Sequence, residues 1–267
     1  MTGAMSTELF FLITLVIKMA VAGLFVISAT IIAERAGPFV GALVLTLPVS
    51  AGPAYVFLSL DHDAAFISQS ALASVANNVS VFLYTLAFFF FARRFHTYTS
   101  VLLSLVVWAA STLVVQSIPW MGMTAVLANI AVFFVCFYAT RRYADAPMPR
   151  VPLRFADILL RAALVATIVA LVVTLSFTIG PSATGLLAAF PVVYTSIFLI
   201  LNRRVGAAAT AAVIAHGYPG LLGFGMATFV LHAAAIPLGN PAALAVALLV
   251  AMMWNGTVFV ARRFATV

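Results

Sequence analysis

This sequence predicts an all-α polytopic membrane protein of nine transmembrane helices, arranged as two inverted repeats of about four helices plus a linking helix, with helices broken near the midplane. Three observations lead there. The chain is 65% hydrophobic and 7% charged with a mean hydropathy of +1.22, whereas a soluble domain carries roughly a quarter charged residues. Apolar runs of 20 or more residues recur along its whole length. The stretch 37–60, GPFVGALVLTLPVSAGPAYVFLSL, returns 143 positions later at 180–201 as GPSATGLLAAFPVVYTSIFLIL. Gly37/Gly180, Pro38/Pro181, Leu43/Leu186, Pro48/Pro191, Val49/Val192 and Leu58/Leu201 agree without a gap, and Lys18 falls on Arg161 in the same register.

A helix of about 20 apolar residues crosses a hydrocarbon core of about 30 Å. Nine runs meet that length, at 9–33, 38–60, 64–92, 99–118, 121–140, 157–179, 182–202, 206–236 and 242–261. The first has no basic residue before it, carries Lys18 within it and is too long for a signal-peptide core, so it is expected to be a retained span. Runs three and eight exceed the core thickness, so they must tilt strongly or break. His216-Gly217-Tyr218-Pro219-Gly220 weakens run eight and falls in register with 73–77 of run three, which predicts matching breaks in both. Pro48 and Pro53, and Pro191, act likewise on runs two and seven, about ten residues in.

Only 141–156, with three prolines and four arginines, forms a real loop between the halves. The expected organisation is therefore a first repeat over 1–141 with five spans, a linker over 142–156, and a second repeat over 157–267 with four. Arg35, Arg93, Arg94, Arg141, Arg142, Arg150, Arg154, Arg203, Arg204, Arg262 and Arg263 all follow odd-numbered runs, and connections after even-numbered runs contain no Lys or Arg. By the positive-inside rule those eleven are cytoplasmic, the N-terminus is outside and the C-terminus inside, and the expected location is the cell inner (cytoplasmic) membrane. Five crossings separate the copies, so the second is inverted relative to the first, as in many secondary transporters. The +7 formal charge thus serves topology, and its dispersal in short pairs points away from nucleic acid.

Each unit has a basic residue early in its first span (Lys18, Arg161), a proline in its second (Pro48, Pro191) and, in the second copy, Gly185-Leu186. On these features and the hydropathy pattern the chain resembles a tandem fusion of two GlpM-type small four-span membrane proteins. The first copy departs from the pattern with Gly41-Ala42. The resemblance implies two four-helix units and a link to exopolysaccharide production.

Lys18 is the most informative residue, because a charge about ten positions into a span is costly and is usually paired or functional. Glu8, Glu34, Asp61, Asp63, Asp145 and Asp157 all fall at span ends or in loops, so Lys18 is expected to lack a carboxylate and to face carbonyls, water or a bound anion. Arg161 follows Asp157 at a spacing that permits a local ion pair. Polar residues collect at the depth of the prolines: Ser50 after Pro48; Tyr194 and Thr195 after Pro191; Asn77 and Asn78 at the end of a Ser70, Ser74 stripe; and His216. Their bland role is to satisfy backbone groups that proline frees. Their convergence makes Lys18, Arg161, Pro48, Ser50, Asn77, Asn78, Pro191, Tyr194, Thr195 and His216 the expected substrate site, with His216 the candidate for proton coupling. His232, Asn129 and Asn255 are expected to bond between helices, and Cys136 to be a small buried residue. His62 between Asp61 and Asp63 is too tightly placed for three ligands to converge on a metal.

These features predict a secondary transporter or facilitator of a small anionic solute working by alternating access, with membrane lipid and a small-molecule substrate as partners and no cofactor; self-assembly stays open. An accessory subunit of envelope polysaccharide assembly, or a channel, is the alternative. No HExxH, paired membrane aspartates or Ser-His-acid set speaks for an enzyme.

Overall fold

The computed structural model describes residues 7–35, 51–143 and 154–265. Pro48, Ser50 and the rest of 37–50, the first part of the Gly37 motif, lie outside the described residues. Those described form helices and connections, with no strand among them: α1 (Thr7–Arg35), α2 (Ala51–Asp61), α3 (Ala64–Phe91), α4 (Thr97–Gln116), α5 (Gly122–Thr140), a 3-10 turn (Arg141–Tyr143), α6 (Phe155–Ala188), α7 (Val192–Leu238) and α8 (Asn240–Ala265). Among the described residues six helical stretches are long and apolar enough to cross a membrane. The chain is a multi-pass membrane protein.

Helix boundaries follow local chemistry. Asp63 accepts from Phe66 N–H at 2.9 Å and starts α3, and Asp157 accepts from Arg154 N–H at 2.9 Å at the start of α6; both satisfy amides that a first helical turn leaves open. Within α6 the helix is interrupted at Gly180, φ 76° and ψ 173°. The residue before Pro181 is pushed out of the α region, and glycine takes the positive φ without strain. α6 is thus a long arm, 155–179, and a short arm, 181–188. The chain leaves the helix again at Ala189-Phe190-Pro191. α7 is interrupted at Gly206, φ 78°, which divides it into 192–205 and 207–238.

The expected breaks in runs three and eight are absent. α3 is continuous through 73–77, and the arm 207–238 runs unbroken through His216–Gly220. Neighbouring side chains take up the strained turn: Trp254 Nε1 donates to Pro219 O at 2.7 Å and Tyr194 Oη to Gly217 O at 3.2 Å. Membrane helices tolerate proline where such partners exist, and at 1.5 Å per residue these helices outreach the core and must tilt.

The burial pattern is that of a protein dissolved in lipid. α1, α4, α5 and α8 expose Phe10, Val16, Leu24, Leu102, Leu113, Val135 and Met253. The buried centre is α3, whose Ser68, Ser70, Ser74, Asn77, Asn78, Ser80 and Thr85 are buried, and which packs against α4, α5, α6 and α7. Connections gather at two ends. At one, His62 Nε2 meets Ser176 Oγ at 2.8 Å and Asn240 Nδ2 donates to His62 O at 3.0 Å and Ser59 O at 3.3 Å. At the other, Asn202 Nδ2 donates to Thr97 Oγ1 at 2.9 Å, and Arg93 stacks between Phe89 and Tyr143, 3.9 Å from each ring. There too Arg204 grips Asp157 through two contacts of 2.8 Å. These are the connections after even-numbered and odd-numbered runs respectively.

The short arm 181–188 lies hard against α3: a Cβ on Gly185 would stand 2.0 Å from Ser70 O, a backbone atom that cannot rotate away. Gly185→Ala is therefore expected to lower stability by about 1–3 kcal/mol, as overpacking does, read as a fall in thermal midpoint in detergent. Gly52→Ala, with nothing within 4 Å of the new carbon, is the control expected to leave it unchanged.

Candidate functional site

At the interruption Ala189 N–H still donates to Gly185 O at 3.1 Å and Phe190 N–H to Leu187 O at 3.0 Å, and α3 adds side-chain donors to the last turn of the arm 181–188. Ser74 Oγ donates to Gly185 O at 2.6 Å, and Asn77 Nδ2 donates to Leu186 O at 3.2 Å. Ser74 in turn accepts from Tyr55 Oη of α2 at 2.7 Å, and Asn77 Oδ1 accepts from Thr112 Oγ1 of α4 at 2.8 Å. On the far side of the break, Thr195 Oγ1 donates to Pro191 O at 2.8 Å and accepts from Tyr84 Oη at 2.8 Å. In a medium without water each such group left unmet costs several kcal/mol. The break is thus held by side chains from α2, α3 and α4.

One step along α3, Asn78 Nδ2 donates to Asn129 Oδ1 at 2.7 Å and to Leu221 O at 2.8 Å. Asn129 Nδ2 spends itself on Val75 O and Ala125 O, both 2.8 Å. Gly225 keeps this junction open, since a Cβ there would lie 3.1 Å from Asn129 Oδ1 and 3.2 Å from Asn78 Nδ2. Ser70 Oγ and Asn78 Oδ1 are fully buried with no hydrogen-bond partner, so the cluster has acceptor and donor capacity to spare.

Of the residues expected at the site, Asn77, Asn78, Pro191, Tyr194 and Thr195 gather here. Lys18 does not. Its Nζ lies 2.5 Å from Asp61 Oδ2, which overturns the expectation that it has no carboxylate to pair with. Asp61 is the last residue of α2, and its contact with Lys18 sets that lysine level with the end of α2. Its side chain is 11% exposed and that of Asp61 21%. Arg161 is half-buried on the long arm of α6, beside α1, where Gly23 faces Ala162. The Asp157 carboxylate is engaged by Arg204. His216 is half-buried on the long arm of α7, next to the Gly217 carbonyl that receives Tyr194.

His232 bonds Ser68 across helices, Nδ1 to Oγ at 2.9 Å. Around His62 the side chains diverge: Asp61 turns to Lys18, Asp63 caps α3, and the imidazole stacks on Phe66 with centroids 3.8 Å apart. Among the described residues no three His, Cys, Asp or Glu converge on a metal position. Tyr55, Tyr84 and Thr112 had no motif to mark them. Asp61 did carry a signal, since it falls in register with Arg204, a charge facing a charge across the repeat.

No protein-family model matches the chain, and neither a curated protein nor a solved structure is similar to it.

Two outcomes follow. Asn78→Ala is expected to destabilise the protein, and a double-mutant cycle with Asn129→Ala to give a coupling of about 0.6–1.7 kcal/mol, the range for interhelical bonds in lipid. In the connection between α2 and α3, burial holds the His62 imidazole below its usual range, Asp61 and Asp63 oppose this and Lys18 adds to it. A native pKa below the unfolded value means stability is full above about 6.5 and is lost as pH falls through the native value. The thermal midpoint should therefore drop between pH 7.5 and 5.5, and drop less in His62→Gln.

Proposed function

We propose that the chain is a secondary transporter or facilitator of a small polar solute, built from two inverted repeats with nine crossings, its N-terminus outside and its C-terminus cytoplasmic. The observation that carries the proposal is a pair of contacts. Asn240 reaches Ser59 at one end of the molecule and Asn202 reaches Thr97 at the other; adding 143 to 59 and 97 gives 202 and 240. One contact is the register mate of the other, displayed at the opposite end, which is what inversion requires.

Further pairs support it. Tyr55 bonds residue 74 and Tyr194 bonds residue 217, the register mate of 74, with the two tyrosines one helical turn out of step. Asn78 bonds Leu221, its own mate, so the pseudo-two-fold axis of this reading passes beside that bond. The helix interruption at Pro191 then sits midway between the two ends, where transporters of this type place their solute sites.

An anionic solute would be called for by an unpaired Lys18. With Asp61 neutralising that charge, the central cluster offers hydroxyls, carboxamides and carbonyls, which suit a small polar solute irrespective of net charge. The arrangement of arginines at one end keeps the proposed orientation, by the positive-inside rule.

Reconstituted protein should show saturable uptake of at least one member of a panel of small polar solutes, neutral and anionic. Asn77→Ala, which uncaps Leu186 O, is expected to cut that uptake about tenfold or more, the scale for a misplaced site, while folded yield is retained. Absence of uptake across the panel, or uptake indifferent to Asn77→Ala and Ser74→Ala, would remove the site from consideration.

A further inference from the structure

Two ion pairs are formed among the described residues, and they share a design. Lys18 of α1 meets Asp61, the last residue of α2. Asp157, at the start of α6, meets Arg204, next to the end of the arm 192–205. Position 204 is the register mate of 61, and Asp157 lies one helical turn before Arg161, the mate of Lys18. In each unit the first helix is therefore tied to the far end of the second by opposite charges, with polarity exchanged between the copies. One pair lies at the end that holds Ser176 and Asn240, the other at the end that holds Thr97 and Tyr143.

The tied segments are suited to movement. The arm 192–205 is bounded by the interruption at 189–191 and by Gly206, so it is a stiff rod between two non-helical joints. Hinge motions concentrate at such element ends. Beside each ion pair stands the matching amide clasp, Asn240 to Ser59 and Asn202 to Thr97. Neither pair is fully hydrated: the side chains of Asp157 and Lys18 are 8% and 11% exposed. Separating such charges is costly until water reaches them, so each pair opens only when its own end hydrates.

We infer that Lys18–Asp61 and Asp157–Arg204 are the two latches of an alternating-access cycle, one closing each end, with both closed in this structure. This rests on the transport reading above. Opening one latch frees its half-helix to swing from the central cluster, and the closed latch at the other end keeps the passage sealed there.

The test reads access, not flux. Cys136, the single cysteine of the sequence, is buried, so Cys136→Ala gives a background for reporters. Val173→Cys, one turn in from Ser176, and Val101→Cys, one turn in from Thr97, are both buried positions. Each is labelled in proteoliposomes of the full chain with a membrane-impermeant maleimide supplied from one side at a time. Lys18→Met should raise labelling at residue 173 about tenfold or more and lower it at residue 101, and Arg204→Met should do the reverse, as a shifted two-state equilibrium demands.

Lys18→Met with Asp61→Asn leaves no orphan charge and guards against a single variant that fails to fold; it should label as Lys18→Met does. The exchanged pair, Lys18→Asp with Asp61→Lys, should restore the parental pattern. Labelling that rises at both positions together, or at neither, overturns the latches. The two readings fail separately: alternating labels without uptake of any solute would sink transport and leave the latches, whereas uptake with non-alternating labels would sink the latches alone.

Discussion

Every backbone amide and carbonyl inside a bilayer needs a partner from the protein itself, and the centre of this molecule is organised by that demand. The chain stops being helical at 189–191, in the middle of an otherwise apolar segment, and carbonyls of the turn before it receive donors from Ser74 and Asn77 of α3. α3 is for that reason polar along a side that is buried, which inverts the usual relation between hydrophobicity and burial. Around it stand helices whose outer faces are leucine, valine, phenylalanine and methionine, because lipid is the solvent there. The glycine at 185 follows from the same need, since only a residue without Cβ lets the short arm come near enough for Ser74 to reach its carbonyl.

The charged residues obey a related economy. The chain has six acidic residues, and both aspartates found in ion pairs sit at helix ends, where a carboxylate can be partly wetted and still reach a cation on the neighbouring helix. Placing the pairs at the two ends and leaving hydroxyls and carboxamides in the middle separates two tasks. The ends carry the interactions that are strong when dry and weak when wet, and the centre carries neutral groups that can exchange one partner for another at small cost.

How much of this was legible in the sequence depended on whether a feature was local or relational. Pro191 advertised its interruption because proline lacks an amide hydrogen wherever it sits, and the Ser70, Ser74, Asn77, Asn78 stripe was visible as polar residues at helical spacing in an apolar run. The arginine asymmetry between connections was visible for the same reason. The continuity of 207–238 was not, because what carries the helix past Pro219 is Trp254, 35 residues on, and Tyr194 from another segment. Lys18 was misjudged for a relational reason too. Its depth was counted along its own helix, whereas its partner is decided by where α2 ends. Tyr55 and Thr112 belong to the central cluster only through the packing that brings α2 and α4 to α3.

The exchange of polarity between the two ion pairs bears on how such a chain sits in a membrane. In the proposed inverted arrangement, a second unit that copied the first faithfully would close the second helix with an aspartate at both ends of the molecule, and the end rich in arginine would carry an acidic residue in place of Arg204. With the signs reversed, the residue at the tip of the second helix is acidic where basic residues are missing and basic where they abound. The pairing survives and the charge contrast between the two faces is deepened. On the proposed inverted arrangement, two identical units could not do this, because each would present the same tip to both sides of the bilayer; one chain whose halves differ in sequence can.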